Sequence, residues 1–266
     1  MARQTSLEFG SVESPHYPVN PMRRILVDGL RRVESALLPP RCQLCTGAGA
    51  PARDLCAACF DDLVHNHNAC ARCALPLSIP APLCGECLHR LPPFDAAFAP
   101  FEYAHPLDLL LTRLKFGRSL AAGRVIADLW MQTIRLALAD GRIAALPDVL
   151  LPVPLHATRL RERGYNQALE LAKPIAAALH LPIAPDMLRR ERATTAQTGL
   201  DAVARRRSLR GAFVFVAPLG APPARVALVD DVMTTGATLR ECARVLKRAG
   251  VARVEVWAFA RAPRLR

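Results

Sequence analysis

The sequence predicts an α/β fold, a parallel sheet flanked by helices and preceded by a small cysteine-rich module, and three observations carry that reading. Short apolar runs rich in β-branched residues, Arg225-Val-Ala-Leu-Val229 the clearest, have the composition of strands buried on both faces of a parallel sheet. Stretches of helical apolar spacing stand between those runs, the alternation expected of such a sheet. Eight of the nine cysteines fall in four Cys-x2-Cys pairs, Cys42/Cys45, Cys56/Cys59, Cys70/Cys73 and Cys84/Cys87, each beginning fourteen residues after the last.

A chain of 266 residues has room for one substantial domain and a smaller module. The expected division is 1–40 as a tail and short helix, 41–93 as the cysteine module and 94–266 as the α/β domain. Net charge is +12, and lysine occurs only at 115, 173 and 247. Arginine's planar fork suits phosphate and nucleic acid, but a GC-rich genome accounts for the bulk of these arginines, so their clustering matters more than their number. No window approaches the roughly 18 uninterrupted apolar residues of a membrane span, so no membrane insertion is expected. The N-terminus lacks the basic, apolar, small-residue order of a secretion signal, and the expected location is cytoplasmic.

The first 21 residues read as a loose tail, and Met22 to Leu38 as a short amphipathic helix ending at Pro39-Pro40. In the cysteine module each Cys-x2-Cys turn aims two sulfurs at one ion at about 2.3 Å, and two turns complete a tetrahedral thiolate site. Eight ligands make two structural sites for zinc, a spacing that iron in a rubredoxin-like site also fits. Disulfides compete poorly in a cytosolic chain. The spacing leaves sequential and interleaved pairing open, sequential being simpler with ten-residue spacers. Few large apolar residues separate the pairs, so metal must supply stability that burial cannot. His65, His67 and His89 read as surface residues rather than ligands, and Cys242 as core. With Arg41, Arg53, Arg72 and Arg90 as its only strong cations and few aromatics, the module reads as structural or docking rather than nucleic-acid binding.

Phe94 to Tyr103 alternates bulky residues and reads as a strand. Pro106 opens a helix with Leu107, Leu110, Leu111 and Leu114 inward, closing at Lys115-Phe116-Gly117-Arg118, and Ala121 to Ala139 is a second amphipathic helix. Asp148 to Leu155 is a buried strand ending in two prolines. Arg159, Arg161 and Arg163 then form a basic loop, after which Asn166 is a good N-cap for a helix through Leu179. At the presumed C-terminal edge of a strand, such a cluster suits a pyrophosphate. Residues 186–212 carry many arginines, Arg205-Arg-Arg207 among them, with few large apolar residues, and read as an exposed basic segment able to close over a ligand or track a nucleic-acid backbone. Phe213 to Val216 is strand-like, and Ala252 to Phe259 alternates in the manner of a strand at a sheet edge.

The strand Arg225–Val229 runs into Asp230-Asp231, then Thr234-Thr235-Gly236-Ala237-Thr238, then a helix with Leu239, Cys242, Ala243 and Leu246 on one face. Backbone N–H groups at a helix start, with hydroxyls and a glycine permitting close approach, cradle a phosphate dianion. Two carboxylates just before them accept hydrogen bonds from a sugar diol. The ligand implied is a ribose 5-phosphate. A Walker loop is excluded, because no Gly-x4-Gly-Lys-Ser/Thr occurs.

Val229 to Thr238 resembles the phosphoribosyl pyrophosphate (PRPP) loop of type I phosphoribosyltransferases. Together with the cysteine pairs, Leu114-Lys-Phe-Gly-Arg, Pro152-Val-Pro-Leu, Arg163-Gly-Tyr-Asn-Gln167, Thr195-x-Gln197 and Arg205-Arg-Arg, it resembles the ComF/GntX family of competence-associated proteins over about residues 38 to 262. Ser208 stands where many relatives have Asn. The resemblance implies a type I phosphoribosyltransferase-like sheet behind a double zinc ribbon, linked to DNA uptake or use of external DNA. It implies PRPP with Mg as ligand, Asp230 and Asp231 on the ribose hydroxyls, and Thr234, Thr235, Gly236, Ala237 and Thr238 on the 5-phosphate. Lys115, Arg159 and Arg163 would face phosphate or pyrophosphate. A PRPP-dependent transferase and a non-catalytic PRPP sensor or single-stranded DNA handler both fit. A zinc-ribbon adaptor with a vestigial transferase domain is a third reading. No residue is an evident catalytic base.

Overall fold

The computed structural model describes residues 39–51, 53–117, 119–192, 209–217 and 221–264. The expected tail and helix over 1–38, Arg118, Thr195-x-Gln197 and Arg205–Arg207 lie outside them. In chain order the elements are α1 (Ala57–Asp61) and α2 (Gly85–His89) in the cysteine module, β1 (Ala96–Phe98), β2 (Phe101–Glu102), α3 (Leu107–Lys115) and α4 (Leu120–Ala139). These are followed by β3 (Val149–Pro152), α5 (Ala157–Arg163), α6 (Gln167–Leu179), β4 (Leu188–Arg190), β5 (Phe213–Phe215), β6 (Arg225–Met233), α7 (Ala237–Arg248) and β7 (Arg253–Arg261).

The main sheet has the order β1-β7-β6-β3, with β2 extending β1's side of β7, and every pair in it is parallel. Period-two alternation divides the core. Ala227, Val229, Trp257 and Phe259 face one layer with α3, α4 and α6, where Phe259 lies 5.0 Å from the Phe101 ring and 5.8 Å from that of Trp130. Val226, Leu228, Val254, Val256 and Ala258 face the other layer with α7. The two halves of the cysteine module divide in the same way. Cys42, Leu55 and Leu63 join the first layer, whereas Cys70, Cys73, Cys84, Cys87 and Phe94 join the second.

Four local readings are corrected. β7 is not an edge strand: it lies between β6 and β1/β2, and all its residues but Arg253 are buried. Its alternation is between two apolar faces, interrupted by Glu255, which pairs with Arg253 (2.6 Å) and Arg225 (3.6 Å), and ended by the buried Arg261. The strand expected over 94–103 is split at Pro100, which has no N–H to give a ladder. The basic segment 156–163 is helical, capped by His156 accepting from the Thr158 N–H (3.2 Å) and ended by Gly164 at φ 82°. The described ends of the arginine-rich segment are not simply exposed: β4 pairs antiparallel with β5, and Leu188, Leu209, Ala212 and Phe213 are buried.

Phe259→Ala empties the contact between the sheet and α4, and its expected cost is about 3–5 kcal/mol of stability. Leu120→Ala, at an exposed position, is expected to stay within about 0.5 kcal/mol. Urea unfolding of the zinc-loaded chain measures both.

Candidate functional site

Each half of the cysteine module gathers four sulfurs. Cys42, Cys45, Cys56 and Cys59 form one set, and Cys70, Cys73, Cys84 and Cys87 the other, with all ligand atoms of a set within 4.8 Å of one another. The pairs therefore join sequentially. A tetrahedron with metal–sulfur bonds of about 2.3 Å has sulfur–sulfur edges of about 3.8 Å. The Cys45–Cys56 and Cys73–Cys84 sulfurs lie 3.8 and 3.6 Å apart, so both sets fit a structural zinc ion. His65 stacks on His67 and against Phe101, and no histidine belongs to either set.

The second assembly is a cleft of about 160 Å³ lined by Lys115, Val153, Pro154, Leu155, Arg159, Arg163, Asn166, Gln167, Ala168, Arg190, Asp230, Asp231 and Thr238. It opens at the C-terminal ends of β3 and β6, where an open α/β sheet leaves room for ligands. The strands themselves place the acids. Asp230 and Asp231 still belong to β6, beyond its four buried apolar residues, and the Asp231 and Val232 N–H groups donate to Asp230 Oδ1 (2.9 Å) and Asp231 Oδ1 (2.8 Å). Lys115, the last residue of α3, lies 2.7 Å from Asp231 Oδ2 in an ion pair largely shielded from solvent. Burial, and then the like charge of Asp231, push the Asp230 carboxyl up to about 8 against the pull of Lys115.

Arg163-Gly-Tyr-Asn-Gln167 builds the opposite wall, and each residue has a separate task. Arg163 donates to Gln167 Oε1 (3.0 Å) and lies over the Phe116 ring. Gly164 takes the left-handed conformation that ends α5. The Tyr165 hydroxyl donates to the Leu114 carbonyl, tethering the turn that carries Lys115. Asn166 donates to the Val153 carbonyl (3.1 Å) and accepts from the Ala168 N–H (3.1 Å), so it ties the end of β3 to the start of α6 as well as capping it. Gln167 is buried, and its Nε2 meets no acceptor among the described residues.

The loop after β6 completes the cleft. Thr234 and Thr235 are exposed, Gly236 and Ala237 are buried, and Thr238 faces the cleft. Gly236 has φ 69°, a region costly for residues with a Cβ, and an added Cβ there would lie 2.7 Å from Met233 Cε. As N-cap of α7 it offers no side chain to the first turn, whose N–H groups have no intrahelical partners. The Ala237 N–H reaches only Thr235 Oγ1, at 3.4 Å.

The structure thus gathers Lys115, Arg159, Arg163, Asp230, Asp231 and Thr238 in one cleft and puts Thr234 to Ala237 on its adjoining loop. Arg190 was missed by sequence reasoning. It comes from β4, lies over the Phe213 ring, and burial with the charge of Arg159 lowers its proton affinity below the usual guanidinium range. Its only sequence signal was membership of an arginine-rich stretch that gave no reason to prefer it over Arg189 or Arg192.

Comparison with known proteins locates the same two parts. Residues 33–93 match the double zinc ribbon domain family, and residues 166–266 the phosphoribosyl transferase domain family. The chain is 36% identical over 224 residues to competence protein F of Haemophilus influenzae, covering 84% of this chain and 97% of that protein. It is 34% identical over 225 residues to DNA utilization protein YhgH of Salmonella typhimurium, covering 84% and 98%. YhgH of Escherichia coli K12 matches at 33% over the same length. No helix among the described residues is long and apolar enough to cross a membrane.

The purified chain is expected to carry two zinc ions. Cys45→Ser and Cys73→Ser are each expected to lower that to one, because they lie in different clusters. Atomic emission against protein concentration gives the count.

Proposed function

The chain belongs to the ComF/GntX family, and from that premise we propose that its α/β domain binds PRPP, or a closely related ribose phosphate, with Mg²⁺ in a protein that serves DNA uptake or the use of external DNA. The observation that carries the reading is the division of the cleft into three chemistries. The uncapped start of α7 suits the 5-phosphate, Asp230 and Asp231 suit the ribose diol, and Arg159, Arg163 and Arg190 suit the pyrophosphate. Mg²⁺ would accompany the diol and pyrophosphate of the ligand beside these residues, and it would spread the charge of the leaving group. In a transferase the bond from ribose C1 to pyrophosphate breaks as one to an acceptor forms. The carboxylates would then stabilise positive charge developing on the ring, and the arginines negative charge on pyrophosphate. Thiolate clusters and this ligand suit a cytoplasmic setting.

A second reading is supported by α7. Arg240, Arg244 and Arg248 lie at i, i+4 and i+8 on that helix, and Arg210 and Arg90 are close enough that, after burial, the four neighbouring charges all act to lower the proton affinity of Arg244. Glu86 and Glu241 neutralise part of this ridge. Such a ridge fits the backbone of single-stranded DNA, in a protein that binds PRPP without an acceptor or does not bind it at all.

Titration calorimetry with PRPP and Mg²⁺ tests the first reading. Saturable binding is expected, and Asp230→Asn/Asp231→Asn is expected to weaken it at least about 100-fold, the scale of two charge-assisted hydrogen bonds. No binding by the parent chain sinks this reading.

The pH dependence follows from the raised Asp230 carboxyl. Diol hydroxyls donate, so the ligand prefers ionised Asp230 and binding releases its proton. Affinity is therefore expected to rise from pH 7 to about 8 and then level off. Ligand phosphates, ionising near about 6, are already fully charged in that window. Asp230→Asn should abolish the rise, and the same calorimetry across pH reads it.

For the second reading, fluorescence anisotropy with a labelled oligonucleotide against salt is the measurement. Arg244→Gln/Arg248→Gln should reduce the slope of log K on log salt by about 1–2. An unchanged slope removes α7 from any DNA path.

A further inference from the structure

Arg261 closes β7 and is 7% exposed, and its Nε and Nη1 donate to backbone carbonyls. Its Nε donates to the Cys73 carbonyl (3.2 Å), and the two hydrogens of its Nη1 are shared among those of Met233 (2.9 Å), Ala262 (2.6 Å) and Thr234. Cys73 belongs to the second cysteine cluster. Met233 and Thr234 begin the phosphate loop. One buried cation therefore joins the two. The far side of the loop is held from the same knuckle. Glu86, between Cys84 and Cys87 on α2, accepts from Arg240 (3.2 Å) in the first turns of α7, and from Arg264. The first cluster has a different neighbour. Its ion pairs run to α4, through Arg53–Asp128 (2.8 Å) and Arg124–Asp54 (3.7 Å).

The geometry of the peptide bond gives these contacts a direction. A trans peptide is planar, with its carbonyl and N–H pointing opposite ways. Arg261 draws the Met233 and Thr234 carbonyls toward the knuckle, so the Thr234 and Thr235 N–H groups are turned to the opposite side. Holding the carbonyls fixes which way the loop presents its donors. A guanidinium so far from water keeps its place only while its acceptors stay in position. An ion held by the four converging sulfurs would keep the Cys73 carbonyl in position.

We propose that the second cysteine cluster and the phosphate loop form one thermodynamic unit, with Arg261 as the positioning residue between them. Metal at Cys70, Cys73, Cys84 and Cys87 orders the loop for ribose phosphate, and ribose phosphate retains metal in that cluster but not at Cys42, Cys45, Cys56 and Cys59. Linkage makes the two effects equal in free energy. The phosphate half of this inference rests on the PRPP-binding reading, whereas the ordering of the loop by metal does not.

Two measurements on the full chain decide it. Amide exchange over 233–240 is compared in the parent, Cys87→Ser and Cys59→Ser. The expected result is exchange at least about fivefold faster in Cys87→Ser and unchanged in Cys59→Ser. Equal rates in both variants overturn the coupling, whatever the ligand does. Zinc transfer from the loaded parent to a chromogenic chelator is then followed with and without saturating ribose 5-phosphate. One of two zinc ions should leave about fivefold or more slowly with the ligand, and Arg261→Lys should keep both zinc ions, bind ribose 5-phosphate about tenfold more weakly and lose the protection. If Arg261→Lys does not fold, Glu86→Gln, which loosens the other side of the loop, is expected to shrink the protection instead. Protection of both ions alike, or protection undiminished in the folded variants, overturns the proposal. Absence of ribose 5-phosphate binding by the parent, with the exchange difference intact, would instead fail the PRPP-binding reading and leave metal-driven ordering of the loop established.

Discussion

Burial of both faces of the β6–β7 pair is the constraint from which the rest follows. Val226 to Val229 and Val254 to Ala260 give neither face to solvent, so no charged side chain can project from the middle of the sheet without losing its hydration. Polar groups are driven to the strand ends. Glu255 lies near the N-terminal end and is neutralised by Arg253 and Arg225. The C-terminal ends carry Asp230, Asp231 and Arg261, where Asp231 meets Lys115 of α3 and Arg261 meets the Cys73 carbonyl. The cleft is thus the place where the sheet stops being able to exclude charge, and parallel strands ensure that β3, β6 and β7 all stop on the same side.

The cysteine module is tied into that architecture on both faces. Each half lacks the apolar side chains to form a core alone, yet Cys42, Leu55 and Leu63 complete one layer, while Cys70, Cys73, Leu75 and Phe94 complete the other. A metal-stabilised knuckle is rigid for its size, since four ligands fix a backbone that burial would leave loose. Rigidity matters most on the second face, where Cys73 reaches the start of the loop after β6 through Arg261, and Glu86 bonds Arg240 in the helix beyond it. A helix packed there would present its own backbone groups already paired. The knuckle turn instead offers a free carbonyl to Arg261.

What was legible in the sequence follows from how local each determinant is. The Cys-x2-Cys turns, the strand ending in Asp230-Asp231 and the Asn166 cap are each specified within a few residues, and the sequence conveys them directly. The two cysteine clusters, the parallel sheet and the helix faces of Leu107–Leu114 and Leu239–Leu246 match what that reading expects. β7 was placed wrongly because alternation of Val and Ala with Trp and Phe has the same period whether the second face meets solvent or helices. The helix around Arg159 leaves no periodic signal in the sequence, because it is short and has no apolar face. Arg190 and Arg261 were illegible for a different reason. Their partners, Phe213 for one and Met233, Thr234 and Cys73 for the other, are distant in sequence, and nothing in the residues flanking either arginine records them.

The charge balance of the cleft bears on how an anionic ligand would enter. Lys115, Arg159, Arg163 and Arg190 outnumber Asp230 and Asp231, and the acids divide their roles: Asp231 takes the Lys115 ammonium at 2.7 Å, while Asp230 is driven toward its protonated form. An anionic ligand meets a surplus of positive charge, which favours its approach. A ribose diol, by contrast, would need the acids ionised and facing it, so Lys115 would have to yield Asp231 and Asp230 would have to lose its proton. Both demands are met by cations that arrive with the ligand or move toward its phosphates, since an added positive charge lowers the carboxyls and a phosphate gives Lys115 a new partner. Lys115 can make that exchange without leaving its place, because the turn behind it is held by Tyr165 at the Leu114 carbonyl. The cleft is thereby close to neutral around Asp230 and Asp231 and positive around Arg159, Arg163 and Arg190, the complement of a ligand that is neutral at its sugar and anionic at its phosphates.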